Sequence, residues 1–271
     1  SSYQAQESVV YVHGTTLSLK QFDEETVDAY EIGLKYSTRE FGVSIAGFRQ
    51  EFSNFQLNTF NGAFYIVQTV NSCDSDLGGA DRDASATTGA CSSDEVAPGL
   101  IAQGVEIETY LRPARDLDIT LGVTYSDTSF EDNLIGDDTG APLDPALRLL
   151  PGDNLSNAPE IVATSSLTWT PPIGDSGLEG LVFVNARMAG DYNTGSDLLF
   201  GKEQDSFVVV NGRVGLTNIA DRFAIEGWVN NLFDVGYTQV AFNTPFVAPQ
   251  QTFSAFLAEP RTYGITVRGK F

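Results

Sequence analysis

With 271 residues the chain is long enough to bury a sizeable core, as one large domain or two smaller ones. Its net charge of −21 argues against nucleic acid or an anionic membrane surface as a partner, and no stretch approaches the roughly eighteen apolar residues of a membrane-spanning helix. Helix-favouring blocks are nearly absent while Thr, Val, Tyr, Phe, Gly, Asn and Asp abound, so the composition predicts an all-β protein.

The strands are predicted from the alternation of apolar and polar residues. From Leu117 to Ser126 every odd position is apolar and every even one is small or polar, and the stretch from Tyr263 to Phe271 repeats the pattern. A period of two indicates strands with one apolar and one polar face, and about nine or ten residues suffice for a tilted strand to cross a bilayer. In chain order the predicted strands are 26–37, 41–59, 63–70 continued at 100–113, 116–131, 160–171, 178–191, 206–218, 223–242 and 258–271.

The connections between these strands alternate between short and long. Short links fall at 38–40, 113–116, 173–177 and 220–222, and long polar ones at 71–99, 132–158, 193–205 and 243–257. Outer-membrane barrels have short periplasmic turns and long extracellular loops, whereas soluble barrels and sandwiches have no reason to sort their loops by length. The sequence therefore predicts an antiparallel transmembrane β-barrel. Residues 1–25 lead into it through an extracellular loop, and 71–99 form an extracellular insertion.

The insertion 71–99 holds both cysteines of the chain, Cys73 and Cys91, and follows a hairpin signal at Asn61-Gly62. Because no histidine lies nearby, a zinc site is disfavoured, and a local disulfide in an oxidising compartment is favoured. The insertion also contains four weak candidates for metal binding. Their spacing departs from the EF-hand pattern, so solvated charge competes with Ca²⁺ coordination as their role. These candidates are Asp74, Asp76, Asp81 and Asp83.

No catalytic constellation stands out in the sequence. His13 is the single histidine and no motif surrounds it, so no His-dependent triad is predicted, and there is no Gly-x-Ser-x-Gly elbow. The chain is therefore predicted to have no enzymatic activity and to need no cofactor.

Two sets of residues are candidates for contacts inside and above the barrel. Polar residues on the inner face would hydrate the lumen and hydrogen-bond whatever fills it: Glu106, Glu108, Asn211, Arg213, Arg268 and Lys270. Aromatic residues in the long loops either stack on a small-molecule ligand or fold the loops onto each other, and the sequence leaves both roles open. These aromatic residues are Tyr192, Phe200, Phe242, Phe246 and Phe253.

Several motifs resemble those of TonB-dependent outer-membrane receptors. The segment 230–234 followed by Tyr237 resembles the family's N-L-F-D-x-x-Y sequence, and 259–264 resembles its E-P-R-T-Y-G approach to the last strand. The segments 25–33, 104–108 and 155–159 agree as well, in the same order and spacing. A terminal Phe271 after Tyr263, Ile265 and Val267 resembles the signal read by the outer-membrane assembly machinery.

The resemblance implies that residues 1–271 are the C-terminal portion, about nine or ten strands, of a barrel of about 22 strands that an N-terminal plug domain fills. It also implies active, ligand-gated uptake of a scarce nutrient across the outer membrane of a Gram-negative bacterium, energised by the inner-membrane TonB complex. Iron–siderophore complexes are the commonest cargo of the family, while cobalamin, sugars and other metal complexes use the same scaffold.

Two other interpretations remain open from the sequence. A passive porin or structural barrel would lack the plug, and a soluble secreted β-sandwich would need no detergent to stay in solution. The nine predicted crossings are odd in number, whereas single-chain bacterial barrels have even numbers. A separate or cleaved chain is therefore expected to supply the plug and the remaining strands.

Overall fold

The fold is almost entirely β-structure. The computed structural model describes residues 24–60, 65–75, 77, 91–136, 143–218, 223–244, 252–270 and two short strands before them. Within these described residues, one 3₁₀ turn, η1, spans Pro145–Leu147. The strands are β1 (Ser8–Val9), β2 (Leu19–Lys20), β3 (Thr26–Ser37), β4 (Phe41–Ser53), β5 (Phe55–Phe60), β6 (Tyr65–Cys73), β7 (Val96–Pro98), β8 (Leu100–Ala114), β9 (Leu117–Phe130), β10 (Leu134–Ile135), β11 (Ile161–Trp169), β12 (Leu178–Ala189), β13 (Tyr192–Asn193), β14 (Glu203–Gln204), β15 (Phe207–Asn218), β16 (Phe223–Asn230), β17 (Thr238–Asn243), β18 (Phe253–Leu257) and β19 (Thr262–Gly269).

Nine of these strands form one sheet, which we call the main sheet. Its order is β19-β16-β15-β12-β11-β9-β8-β4-β3, and every neighbouring pair is antiparallel. Each strand therefore lies beside the next long strand along the chain, as in an up-and-down barrel wall. The predicted all-β antiparallel architecture is confirmed, and β3 has the predicted bounds.

The connections of the main sheet are sorted by length, as predicted. At one end, the turn end, between two and eight residues separate β3 from β4, β8 from β9, β11 from β12 and β15 from β16. The first of these turns is closed by Thr38, whose hydroxyl accepts hydrogen bonds from the backbone N–H groups of Glu40 and Phe41. All the long connections leave the opposite end, the loop end.

The two faces of the main sheet differ in polarity. The register places Ile107 opposite Val123 and Val123 opposite Ala163, so residues of one parity share a face across the strands. The apolar residues at the odd positions from 117 to 125 all lie on this face, where Leu121, Val123 and Tyr125 are exposed rather than packed in a dry core. The other face carries polar side chains: Thr120, for example, is 2.6 Å from the hydroxyl of Ser166 on β11.

Two predicted strands are interrupted in the structure. The predicted strand 41–59 ends at Asn54, which has a left-handed backbone conformation (φ 53°) and exchanges hydrogen bonds with Asn71. The chain there leaves the main sheet and forms the hairpin of β5 and β6, so the hairpin is confirmed, although the turn Asn61-Gly62 lies outside the described residues. The predicted strand 223–242 ends at Asn230, and Asn231 and Asp234 again have positive φ.

The buried core lies at the loop end. Strands β5, β6, β7 and β10 form a small second sheet there, and the long connections pack around it. We call the described residues of these connections the cap. One apolar cluster in the cap joins Leu57, Val70, Leu100, Phe130, Leu134, Leu147 and Leu150. A second joins Cys73, Leu77, Cys91 and Ile135. Across the part of the chain that the structure describes, no helix is long and apolar enough to span a membrane.

Candidate functional site

Three segments of the cap meet at the loop end and form the candidate site. They are the 55–73 hairpin (β5 and β6), the 190–206 loop (with β13 and β14) and the 238–257 hairpin (β17 and β18). The backbone N–H of Ala241 donates to the carbonyl of Thr194 at 3.2 Å, and the N–H of Thr238 donates to the side chain of Gln204 at 2.7 Å. The 190–206 loop therefore lies directly against the 238–257 hairpin.

The centre of this contact is a buried ion pair between Asp197 and Lys202. The ammonium group of Lys202 is 2.6 Å from the Oδ1 of Asp197, and both side chains are almost fully buried. The other carboxylate oxygen accepts a hydrogen bond of 2.8 Å from the side-chain amide of Asn243, which also donates to the carbonyl of Phe60. Nothing in the sequence around these residues predicts their burial, because charged and amide side chains in long loops are usually solvated.

The five aromatic candidates of the sequence analysis divide by their surroundings. Tyr192 is half-buried and donates to the carbonyl of Thr238, and burial raises the pKa of its hydroxyl. The Phe242 ring lies 5.7 Å from that of Phe256, and the Phe253 ring lies 5.1 Å from the ammonium of Lys202. Tyr192 and Phe253 therefore fold the loops onto each other, which is one of the two roles left open by the sequence, whereas Phe242 packs within its own hairpin.

Phe200 has different surroundings from the other aromatic candidates. Phe200 is 79% exposed, although Asp197, three residues before it, and Lys202, two residues after it, are buried. An exposed aromatic ring on an anchored loop is available for contact with a ligand. Phe246, the fifth candidate, lies outside the described residues.

The insertion 71–99 is anchored by the predicted disulfide. Cys73 and Cys91 are bonded, with their α-carbons 6.0 Å apart, which confirms the pairing. The acidic side chains near it do not form a metal site in the described part of the chain, where no group of three or more His, Cys, Asp or Glu residues is gathered. Asp74 is exposed, and Asp76, Asp81 and Asp83 lie outside the described residues. Beside the disulfide, a hydrogen bond from Ser75 lowers the pKa of Glu95.

The polar face of the main sheet carries the predicted inner residues. Glu106 and Glu108 are exposed on β8. The guanidinium of Arg213 lies 5.8 Å from the Phe183 ring on the neighbouring strand, and Arg268 pairs with Glu226 across β16 and β19. The side chain of Asn211 accepts a hydrogen bond of 2.8 Å from the backbone N–H of Asn231, so it holds the end of β16 in place. The remaining predicted inner residue, Lys270, is exposed just beyond β19.

The residues of the expected assembly signal lie on the apolar face of the last strand. Tyr263, Ile265 and Val267 are strongly exposed there because β19 is an edge of the main sheet. Phe271 lies outside the described residues, and the role of this set in assembly stays a prediction.

Comparisons with known proteins agree with this architecture. The family model of the TonB-dependent receptor-like β-barrel matches residues 2–232. The ferric yersiniabactin uptake receptor FyuA of Yersinia pestis superposes with a TM-score of 0.69 at 18% identity, covering 100% of this chain and 33% of FyuA. The siderophore receptor PiuA of Acinetobacter baumannii superposes with a TM-score of 0.59 at 19% identity, covering 91% of this chain and 28% of PiuA.

Two further comparisons limit the functional conclusions that this structural similarity supports. The copper transporter OprC superposes with a TM-score of 0.54 at 15% identity, covering 92% of this chain and 32% of OprC. A search of curated protein sequences found no significant match. The chain thus spans about a third of the length of these solved structures, whose similarity to it is one of fold. Since the family model matches most of the sequence, the chain belongs to the TonB-dependent receptor β-barrel family.

Proposed function

We propose that this chain is part of an outer-membrane importer that captures a scarce nutrient at its loop end and has no catalytic activity. The observation that carries the proposal is the exposed apolar face of the nine-stranded main sheet, combined with a folded cap at one end only. A strand array with a continuous apolar outer face is stable in a bilayer once it is part of a closed barrel, because every backbone group is then paired within the sheet. The short-turn end is then periplasmic and the cap is extracellular.

The capture surface is proposed to lie on the cap. The loops 132–158, 193–205 and 243–257 leave the same end of the sheet, and Phe200 is exposed between the buried residues Asp197 and Lys202. Binding residues are commonly carried by loops that a rigid scaffold holds in place. Phe200 is therefore the first candidate for a ligand contact. Tyr192 and Phe253 support the loops around it, and Phe242 packs within the 238–257 hairpin.

A ferric siderophore is the proposed cargo. Two of the similar solved structures are receptors for siderophores, and this supports the class without identifying the compound. The copper transporter with the same fold shows that the scaffold alone does not select iron. The proposal also includes two partners, a plug domain and the energising TonB complex. Both would act through parts of the receptor beyond the nine strands seen here.

Energy dependence distinguishes this importer from a passive porin. We expect cells that rely on this receptor to take up radioactive iron from at least one compound in a panel of ferric siderophores. Uptake should stop when an uncoupler collapses the proton-motive force. Diffusion through a porin would continue under the uncoupler, and that result would contradict the proposal.

The contribution of Phe200 can be tested in the same assay. Phe200→Ala is expected to weaken capture, raising the siderophore concentration needed for half-maximal uptake several-fold. Phe233→Ala is a matched control, because Phe233 is also an exposed phenylalanine at the loop end but lies at the end of β16. Equal behaviour of the two variants would remove Phe200 from the capture surface.

A further inference from the structure

The buried pair of Asp197 and Lys202 connects three segments that are distant in sequence. Only 2% of the Lys202 side chain and 3% of the Asp197 side chain are exposed. Asn243 of the 238–257 hairpin donates to Asp197, and the same amide donates to Phe60 at the tip of the 55–73 hairpin, at 3.2 Å. A second contact to that tip is the hydrogen bond of 3.0 Å from the Ser196 hydroxyl to the Thr59 hydroxyl. Each of the three segments therefore contributes to one buried polar cluster.

The loop between the paired residues is held in a strained conformation. Leu198 has a positive φ of 54°, which is unfavourable for a branched side chain, and Gly201 has a φ of 87°. A β-carbon at Gly201 would lie 2.8 Å from the Phe253 ring, so the position has no room for a side chain. Leu198 packs against the first apolar cluster of the cap. Such strain persists only where the surrounding structure fixes the backbone, and it is concentrated at functional sites.

Simple stabilisation is a poor explanation for the ion pair. Desolvating two charges costs as much as their attraction returns, so a buried ion pair contributes little more than a well-packed apolar pair would. Removing one partner is different, because it leaves a single buried charge without compensation. A pair with these properties favours one arrangement of the loops strongly over all others.

We propose that Asp197, Lys202 and Asn243 form a latch that makes the 55–73 hairpin, the 190–206 loop and the 238–257 hairpin move as one unit. With the latch closed, Phe200 is presented to solvent on a fixed backbone. A ligand that displaces the 190–206 loop must then open the other two segments as well. This last consequence rests on the proposed capture function, whereas the mechanical coupling does not.

Hydrogen exchange of the intact protein in lipid nanodiscs tests the latch without any ligand. In Lys202→Met and in Asp197→Leu, the amides of Thr194, Ala241 and β5 should all lose protection by at least tenfold. Protection in β9 and β11 should stay unchanged, which also establishes that each variant is folded. The double variant Lys202→Met with Asp197→Leu replaces the ion pair by an apolar pair. It should restore the protection of Thr194 but not that of Ala241 and β5, because no carboxylate remains to accept the hydrogen bond from Asn243. Glu51→Gln, which breaks the exposed pair with Arg49, is the control and should leave the cap unchanged.

Two results would overturn the latch. In the first, Lys202→Met loosens the 190–206 loop alone, so the three segments are independent. In the second, Ala241 and β5 are as protected in the double variant as in the unaltered protein, so the hydrogen bond from Asn243 to Asp197 does not couple the segments. Asn243→Ala provides a separate test of the latch if Lys202→Met and Asp197→Leu fail to assemble. It should release β5 and the 238–257 hairpin while Thr194 stays protected, and unchanged protection of β5 would contradict the proposal. Because no uptake is measured, failure of the latch and failure of the import proposal are distinguished.

Discussion

Leu121 and Thr124 lie on the same strand but in different environments. Leu121 is 45% exposed and lies between Thr109 and Ser165 on the apolar face of the main sheet. Thr124 has the opposite parity and lies beside Glu106 on the polar face. If the apolar face contacts lipid, a charge at position 121 must be buried in hydrocarbon, whereas a charge at 124 remains in the hydrated interior.

Leu121→Arg is accordingly expected to destabilise the folded protein by about 2–4 kcal/mol, the cost of an arginine near the bilayer midplane. The measurement is the free energy of unfolding from lipid vesicles in a denaturant titration of the intact protein. Thr124→Arg is the matched control and should cost much less, because its guanidinium can pair with Glu106. Equal costs for the two variants would mean that the apolar face does not contact lipid.

At the scale of residues, the sequence predicted correctly which side chains share a face of the sheet, but it did not predict which polar side chains are buried. The parity of Leu121 follows from a period of two, which is a local property of the strand. The burial of Asp197 and Lys202 depends on Phe60 and Asn243, and nothing in the neighbouring sequence indicates that these segments meet. The same limit applies to Phe253, whose position over Lys202 is set by a contact between two loops.

At the scale of elements, the 55–73 hairpin belongs to the cap rather than to the main sheet. Its strand β6 continues to Cys73, pairs with β7 and β10, and carries the disulfide to Cys91 into the second apolar cluster. The main sheet makes none of these contacts through its nine strands. The disulfide therefore stabilises the cap, whereas the main sheet is held by the hydrogen bonds between its own strands.

Replacing both cysteines by alanine should consequently loosen the cap alone. Closing a loop of this length stabilises by about 3 kcal/mol in the chain-entropy description. We expect faster hydrogen exchange in β6, β7 and β10 in the double variant, with exchange in β9 and β11 unchanged. Loss of protection in β9 and β11 would contradict this assignment.

Element boundaries were predictable where a strand ends in a tight turn and not where it ends in the cap. The turn between β3 and β4 has a local cause in Thr38, and the predicted bounds of β3 agree with the structure. The merged predictions 41–59 and 223–242 were wrong at Asn54 and Asn231. There, asparagine in the left-handed region ends a strand whose alternation continues on the far side. Alternation alone does not reveal that the chain has changed sheets.

At the scale of the whole molecule, the two edges of the main sheet require partners. The apolar residues Ile32 of β3 and Ile265 of β19 are 81% and 76% exposed, against 44% for Val123 in the middle of the sheet. Each edge strand has one neighbour in the described sheet and therefore presents unpaired backbone groups. In a bilayer each such group costs several kcal/mol, so an open sheet of this kind is not stable there.

The direction of the edge strands constrains how the wall can close. With nine strands alternating in direction, β3 and β19 run parallel, so pairing them directly would introduce a parallel seam into an antiparallel sheet. An antiparallel closure needs an odd number of further strands, which gives the even total found in bacterial barrels. These strands are expected from a part of the receptor beyond the nine, whichever polypeptide segment carries them.

Hydrogen exchange at the two edges tests this expectation. In a detergent-solubilised sample of residues 1–271 alone, half of the amides of β3 and β19 should exchange rapidly, because their N–H groups point away from the single neighbouring strand. The amides of β11, which has a neighbour on each side, should exchange slowly in the same sample. In the intact receptor, the amides of β3 and β19 should become as slow as those of β11. Slow exchange at both edges in the isolated chain would mean that β3 and β19 close on each other, and the requirement for additional strands would then be wrong.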